Sequence, residues 1–185
     1  RNHGITTDHH QRANSGTCFY DMQSLGFNYR LSDVHCALGL TQLERLPEWT
    51  RKRAAVAACY RQQFRDIDFA QPLDVVPGAG HAHHLFVIRW FEQNAGIGRD
   101  AVIDALRAAG IRANVHYRPV YQHTFYQQRS GRLRMVRCPN AESVYPQLIS
   151  LPIFPAMNNE DVTQVVTELR AIVDNAKSGS WKQVA

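Results

Sequence analysis

The chain has 185 residues, a formal net charge of +5 and a hydrophobic fraction of 44%. That length suits one domain, or one domain with a long connecting helix, and the composition is that of a globular protein and not of a fibrous or disordered one. No apolar run is long enough to span a membrane and no signal peptide is visible. The four widely spaced cysteines (Cys18, Cys36, Cys59 and Cys138) form no CxxC pair and no disulfide framework, so a reducing, cytoplasmic setting is expected.

Residues 1–24 are polar and without a clear period. Ser32 is placed to cap a helix, with Asp33 in its first turn at the positive end of the dipole. Val34, Ala37, Leu38, Leu43 and Leu46 then recur at helical spacing. Pro47 cannot donate the next backbone hydrogen bond, which predicts either a kink or the first turn of a second helix. The pattern resumes through Val56, Tyr60 and Phe64, with Arg51, Lys52 and Arg53 on the solvated face. Pro72, Pro77, Gly78 and Gly80 predict a loop over residues 66–80.

Residues 83–91 are apolar and rich in β formers, which predicts a strand. A turn at 94–98 leads to a helix over 99–109, with Val102, Ile103 and Leu106 inward and Gly110 as its C-terminal cap. A second strand is expected at 111–115, short helices near 122–127 and 140–145, and a third strand at 149–151. Asn158 caps the last helix, Glu160 and Asp161 fill its first turn, and Val162, Val165, Val166, Leu169, Ile172 and Val173 form its inner stripe. The sum is an α/β layer arrangement: a long helix plus a small three-stranded sheet with flanking helices. Such a sheet is too small for an independent doubly wound domain, so the chain reads as a subdomain that packs against something larger.

Three segments carry chemistry. In residues 25–33, a glycine turn precedes Asn28, Tyr29 and Arg30 just ahead of a helix start. An amide and a guanidinium so placed suit an anionic ligand, the amide holding one phosphate oxygen and the guanidinium clamping another. In residues 115–119, Pro119 holds Arg118 extended, so His116, Tyr117 and Arg118 are displayed at the expected end of a strand, where ligands commonly meet the sheet of an α/β protein. The third is the Ile149 to Pro155 segment, Ile-Ser-Leu-Pro-Ile-Phe-Pro.

Other groups carry less. His81 and His83 would share a strand face, yet no carboxylate or cysteine beside them completes a metal set, and no metal is expected. Arg129, Arg132, Arg134 and Arg137 read as a solvated loop. The positive charge is dispersed and dominated by arginine, without alternating aromatic residues, so no nucleic-acid partner is expected.

The motifs together resemble the C-terminal part of the DegT/DnrJ/EryC1/StrS sugar aminotransferases. The matching text is Arg1-Asn2-His3-Gly4-Ile5-Thr6, residues 25–33, residues 37–43 with Arg53 and Tyr60, residues 84–89, residues 110–120, residues 139–142 and residues 150–155. The Asn-Val-His-Tyr-x-Pro-Val wording is most similar to the branch that serves pseudaminic acid biosynthesis. The resemblance implies the C-terminal part of a fold-type I, aspartate-aminotransferase-like enzyme that uses pyridoxal 5'-phosphate. Its reaction would transfer an amino group, with glutamate as donor, to the C4 ketone of a UDP-4-keto-6-deoxy-N-acetylhexosamine in a homodimer with shared active sites.

On that reading residues 1–32 end the large cofactor domain, 33–65 form a connecting helix or kinked helix pair, 66–176 a small C-terminal α/β domain and 177–185 a frayed tail. By the same resemblance Asn28 reaches the cofactor phosphate or the substrate of the neighbouring subunit, and Arg30 supports that anion site. Val115, His116, Tyr117 and Arg118 line the sugar-nucleotide pocket, and His3 orders the loop near the cofactor. Position 118 is often apolar in this branch, so the contact of Arg118 is left open. The Schiff-base lysine of such enzymes lies upstream of the His-Gly motif. The three lysines here, Lys52, Lys177 and Lys182, occupy a basic helical face and a tail. The chain is therefore expected to be the second part of an enzyme, inactive alone. Two alternatives stand beside this one: a dehydratase of the same family, with histidine in place of that lysine, and a non-catalytic fragment that binds nucleotide sugar or a partner chain.

Overall fold

A computed structural model describes residues 3–5, 11, 14, 21–128 and 137–179. The chain divides into two compact units, residues 1–47 and 48–185. Helix α1 (Asp33–Gln63) runs covalently from the first into the second. It begins as the sequence predicts: the Ser32 carbonyl accepts from the Cys36 N–H at 2.9 Å, and the Ser32 hydroxyl lies 3.5 Å from the His35 N–H. Of the two expectations for Pro47, the second fails. Pro47 sits inside one helix of 31 residues and opens no new one. Its missing N–H leaves the Leu43 carbonyl without its helical donor, which an exposed turn tolerates because water reaches it.

In the second unit, β1 (Ala70–Pro72), β2 (Phe86–Trp90) and β3 (Leu148–Leu151) form an antiparallel sheet in the order β1-β2-β3. Ala70 faces Trp90, and Phe86 faces Leu151. The count of three strands matches expectation, and so do two of them, but the third is not the one expected. Residues 70–72 were expected in a loop on account of Pro72. As an edge strand, β1 accommodates a residue that cannot donate. Residues 111–115 form no strand. Only Asn114 pairs, through an isolated bridge to Ser150 beside β3. β2 also starts later than expected, because His83 adopts a left-handed φ of 46° that ends any extended run.

Along β2, Phe86, Ile88 and Trp90 are buried and alternate with half-buried Val87 and Arg89, the period of a sheet covered on one face. The C-terminal half of α1 covers that face: the buried Tyr60 ring stacks on Phe86 at 4.6 Å. Short helix α2 (Glu92–Ala95) ends at Gly96 in the left-handed region, and α3 (Arg99–Ala108) follows. Its C-terminus is a Schellman closure, with the Gly110 N–H bonded to the Arg107 carbonyl and the Ile111 N–H to the Leu106 carbonyl. Gly110 serves there at φ 80°, as its position in the sequence predicts.

A 3-10 turn (Val120–Gln122), α4 (Thr124–Gln127), α5 (Pro139–Val144) and a second 3-10 turn (Tyr145–Gln147) connect to β3. The last helix, α6 (Asn159–Lys177), packs on α2 and α3 and buries the whole predicted stripe from Val162 to Val173. Asn158 and Asp161 cap it reciprocally: each side chain accepts from the other's backbone N–H at 2.9 Å. Most of the arginine-rich loop (Arg129, Arg132 and Arg134), Cys18 and the end of the tail lie outside the described residues. Cys36, Cys59 and Cys138 are free thiols.

Candidate functional site

The first group of candidate residues lies in the unit of residues 1–47. His3 and Gly4 both have positive φ, 55° and 74°. The backbone at Gly4 lies directly against residues 22–26: the Gln23 N–H donates to the Gly4 carbonyl at 3.1 Å, and the His3 N–H to the Phe27 carbonyl at 3.2 Å. A Cβ on Gly26 would stand 2.1 Å from the Gly4 nitrogen, and one on Gly4 would stand 1.7 Å from the Ser24 carbonyl oxygen. The two glycines are thus the condition for this contact, which brings the His-Gly motif to the 25–33 turn.

Phe27 and Tyr29 stack at 5.3 Å, which puts alternate side chains on one side of the strand-like backbone. Asn28 and Arg30 alternate with these two aromatic residues along the chain. Both are exposed, and the Arg30 guanidinium lies 3.1 Å from His3 Nε2. A guanidinium only donates, so Arg30 donates to His3 Nε2 across two adjoining backbone segments, with exposed Asn28 two residues before it. A neutral amide beside a guanidinium is the donor chemistry that a phosphate requires, so these residues fit the anionic end of the implied cofactor.

The second group lies in the unit of residues 48–185. The Ser150 N–H donates to the Asn114 carbonyl at 2.7 Å and the Asn114 N–H to the Ser150 carbonyl at 3.1 Å, which fastens residues 113–116 beside β3. The Asn114 side chain accepts from the Val115 N–H at 2.8 Å. His116 is half-buried, and its Nδ1 lies 2.8 Å from the Ser150 hydroxyl. The Tyr117 ring meets the His116 ring edge-on at 4.7 Å, and Tyr117 and Arg118 are exposed. The peptide bond between His116 and Tyr117 is cis. Val115, His116, Tyr117 and Arg118 are thus displayed together, but from an irregular segment held by one bridge and not from the end of a strand. The role of Ser150 has a trace in the sequence, a lone hydroxyl in the apolar run Leu-Ile-Ser-Leu.

The histidines at 81–84 precede β2 in a loop. The Arg53 side chain donates to the Ala82 carbonyl at 2.9 Å, and Arg61 to the Leu73 carbonyl at 2.7 Å, so two guanidiniums from α1 strap the loop over 73–85. The His81 and His83 rings lie 4.3 Å apart, tilted by 55°, and the His83 N–H donates to His81 Nδ1 at 3.0 Å. His83 titrates below its ordinary value because of partial burial first and the neighbouring His81, Arg61 and Arg53 second. Among the described residues, no group of three His, Cys, Asp or Glu side chains is arranged to hold a metal ion. Likewise no described helix is long and apolar enough to cross a membrane.

Comparison with known proteins supplies the context. The DegT/DnrJ/EryC1/StrS aminotransferase family matches residues 1–170. The spore coat polysaccharide biosynthesis protein SpsC of Bacillus subtilis (strain 168) is 34% identical over 176 residues, which are 94% of this chain and 45% of that protein. Among solved structures, Helicobacter pylori PseC, an aminotransferase involved in the biosynthesis of pseudoaminic acid, is 28% identical with a TM-score of 0.78 over 95% of this chain and 44% of its own. The putative sugar aminotransferase Spr1654 of Streptococcus pneumoniae, in its PMP form, is 25% identical with a TM-score of 0.75 over 94% of this chain and 43% of its own. The chain thus spans a little under half the length of these relatives. Its matched residues, its long helix with a small antiparallel sheet, and its structural neighbours agree: the chain belongs to the DegT/DnrJ/EryC1/StrS aminotransferase family.

Proposed function

We propose that this chain is the C-terminal portion of a pyridoxal 5'-phosphate-dependent nucleotide-sugar aminotransferase. The enzyme would move an amino group from glutamate to the C4 ketone of a UDP-4-keto-6-deoxy-N-acetylhexosamine in pseudaminic acid biosynthesis. The observation that carries this reading is the likeness to PseC over 95% of the chain, beside a family match over residues 1–170, which include both candidate groups. The reactive lysine is supplied by the portion of the enzyme that precedes these residues in the family. The protein works in the cytoplasm as a homodimer. Support for a covering partner comes from the first unit, where Leu25 is 86% exposed and Leu31, Val34, Leu38, Leu40 and Leu43 are all more than half exposed. Exposed apolar side chains in that number on one short segment mark a surface that a partner covers.

Each part of the chain then has a task. Asn28 and Arg30 hold an anionic oxygen, the guanidinium by charge and the amide by direction. Val115, His116, Tyr117 and Arg118 line the sugar-nucleotide pocket, where their restricted backbone orients the ketone for transfer. The cofactor, when bound, supplies the electron sink that lets an amino group pass between two carbon skeletons.

The test joins this chain to a lysine-bearing N-terminal portion of an enzyme of this family. The assembled protein should form 2-oxoglutarate from glutamate beyond one equivalent per bound cofactor only when the UDP-4-keto sugar is present to take the amino group. Arg30→Ala should weaken cofactor retention by about ten- to a hundredfold, and Arg30→Lys by less, since a lysine keeps the charge but loses the two-point clamp. Loss of water from the sugar without amine transfer would establish the dehydratase instead. No turnover at all would leave only the binding fragment.

A further inference from the structure

Ser150 is a buried polar residue, 3% exposed, in the apolar strand β3. A hydroxyl in such a place must use its proton, because an unpaired buried donor costs more than an unused lone pair. Both of its backbone groups are already paired with Asn114. Among the described residues, the partner of its side chain is His116 Nδ1, at 2.8 Å. No buried side-chain nitrogen or oxygen among the described residues lacks a partner, so this bond is the one that satisfies the hydroxyl. If His116 Nδ1 carried a proton, Ser150 would have to accept, and its own O–H would be left buried with nowhere to point. The reverse arrangement uses every group: the Ser150 O–H donates, Nδ1 accepts, and the imidazole proton resides on Nε2 at the far side of the ring.

The register makes this possible. Ser150 pairs with Asn114, and the residue two further along the bridged segment shows its side chain on the same face, within diagonal reach. Tyr117, edge-on at 4.7 Å, borders the ring.

We propose that Ser150 is a positioning residue that sets His116 in the Nε2–H form, making it a neutral hydrogen-bond donor to an acceptor oxygen of the bound nucleotide sugar. In this form His116 is not a general base. The assignment of the tautomer stands on this chain alone, while its use on a sugar oxygen rests on the function proposed above.

The experiment is long-range proton–nitrogen NMR of the ring nitrogens in the full chain, at a pH where His116 is neutral. The expected result is a proton on Nε2 and none on Nδ1. Ser150→Ala should lower the ratio of the two forms about five- to tenfold, and Ser150→Thr, which keeps a hydroxyl in a β-tolerant side chain, should restore it. A proton on Nδ1 in the parent chain, or the same ratio in S150A, overturns the proposal. Urea unfolding of S150A alongside separates a local release of the ring from general loosening of the fold, which S150T would not repair selectively.

A second arm uses the assembled enzyme. S150A should raise KM for the nucleotide sugar by about tenfold with a smaller change in kcat, and S150T should reverse it. A KM unchanged in S150A overturns the donor role. An assembled protein that performs no transfer overturns the functional reading, while the NMR arm still decides the tautomer.

Discussion

The Tyr60 hydroxyl donates to the Pro152 carbonyl at 3.0 Å, a bond between residues 92 positions apart. It ties α1 to the Leu-Pro-Ile turn that leaves β3, next to the bridge holding His116. Burial, with smaller contributions from Cys59 and Asp161, pushes the Tyr60 phenol far above its ordinary pKa, so it remains a donor at any physiological pH. Tyr60→Phe keeps the ring stack on Phe86 and removes only this bond. The expected loss is about 1 kcal/mol, rising towards 3 if water cannot reach the orphaned carbonyl. Urea denaturation should show a lower midpoint at an unchanged slope. An unshifted midpoint would mean that the bond adds nothing.

The contact between Gly4 and Gly26 admits no side chain. Gly26→Ala should force apart the segments that carry His3 and Arg30, since the new Cβ would meet backbone and not a movable side chain. Amide exchange at His3 and Gln23, whose N–H groups bond across this contact, should rise about tenfold or more, the effect of losing a bond worth roughly 1.4 kcal/mol. The unit of residues 48–185 should unfold as before. Protection preserved in G26A would show that the backbone there can yield.

Asn158 and Asp161 cap α6 reciprocally, so they should behave as one device. Asn158→Ala and Asp161→Ala should each cost about 1 kcal/mol, and the double variant much less than the sum. Thermal unfolding of the four proteins closes the cycle. Strict additivity would mean that the two bonds act independently.

The loop strapped by Arg53 and Arg61 should loosen in acid. The folded-state pKa of His83 is depressed, so on lowering the pH through the ordinary imidazole range the unfolded or undocked form takes up its proton first. Stability of the docked loop is therefore full above that range and falls as pH drops from about 7 to about 5. His81, Arg53 and Arg61 add positive charge on the same side, while Asp74 and His84 line the same cleft of about 250 Å³. Amide exchange at Leu73 and His83 should quicken over that interval. His83→Gly removes both the titrating ring and the left-handed strain, so its pH slope should be shallower. A slope as steep in H83G as in the parent would sink this explanation.

Local rules made much of this protein legible before its structure. The caps at Asn158 and Gly110, the inner stripe of α6 and the start of α1 at Ser32 each follow from residues within one or two turns of each other. The family wording at 25–33, 110–120 and 150–155 pointed to the segments that display Asn28, Arg30 and His116. Strand membership was not local. Pro72 reads as a loop residue until an edge position makes its missing donor harmless, and 111–115 reads as a strand until Asn114 alone finds a partner. His83 leaves the extended region where its neighbours suggest a strand.

The sequence by itself therefore determined the longer helices, the caps at Ser32, Gly110 and Asn158 and the family, because helical periods and caps repeat over many neighbouring residues, while the single-turn α2 was read as a turn. The tertiary structure alone decided which short segments pair, that two glycines 22 positions apart share one contact, and that a serine 34 residues away lies within hydrogen-bond distance of His116. Those outcomes depend on backbone groups competing for distant partners, and three to five residues of alternating pattern carry too little information to choose among them.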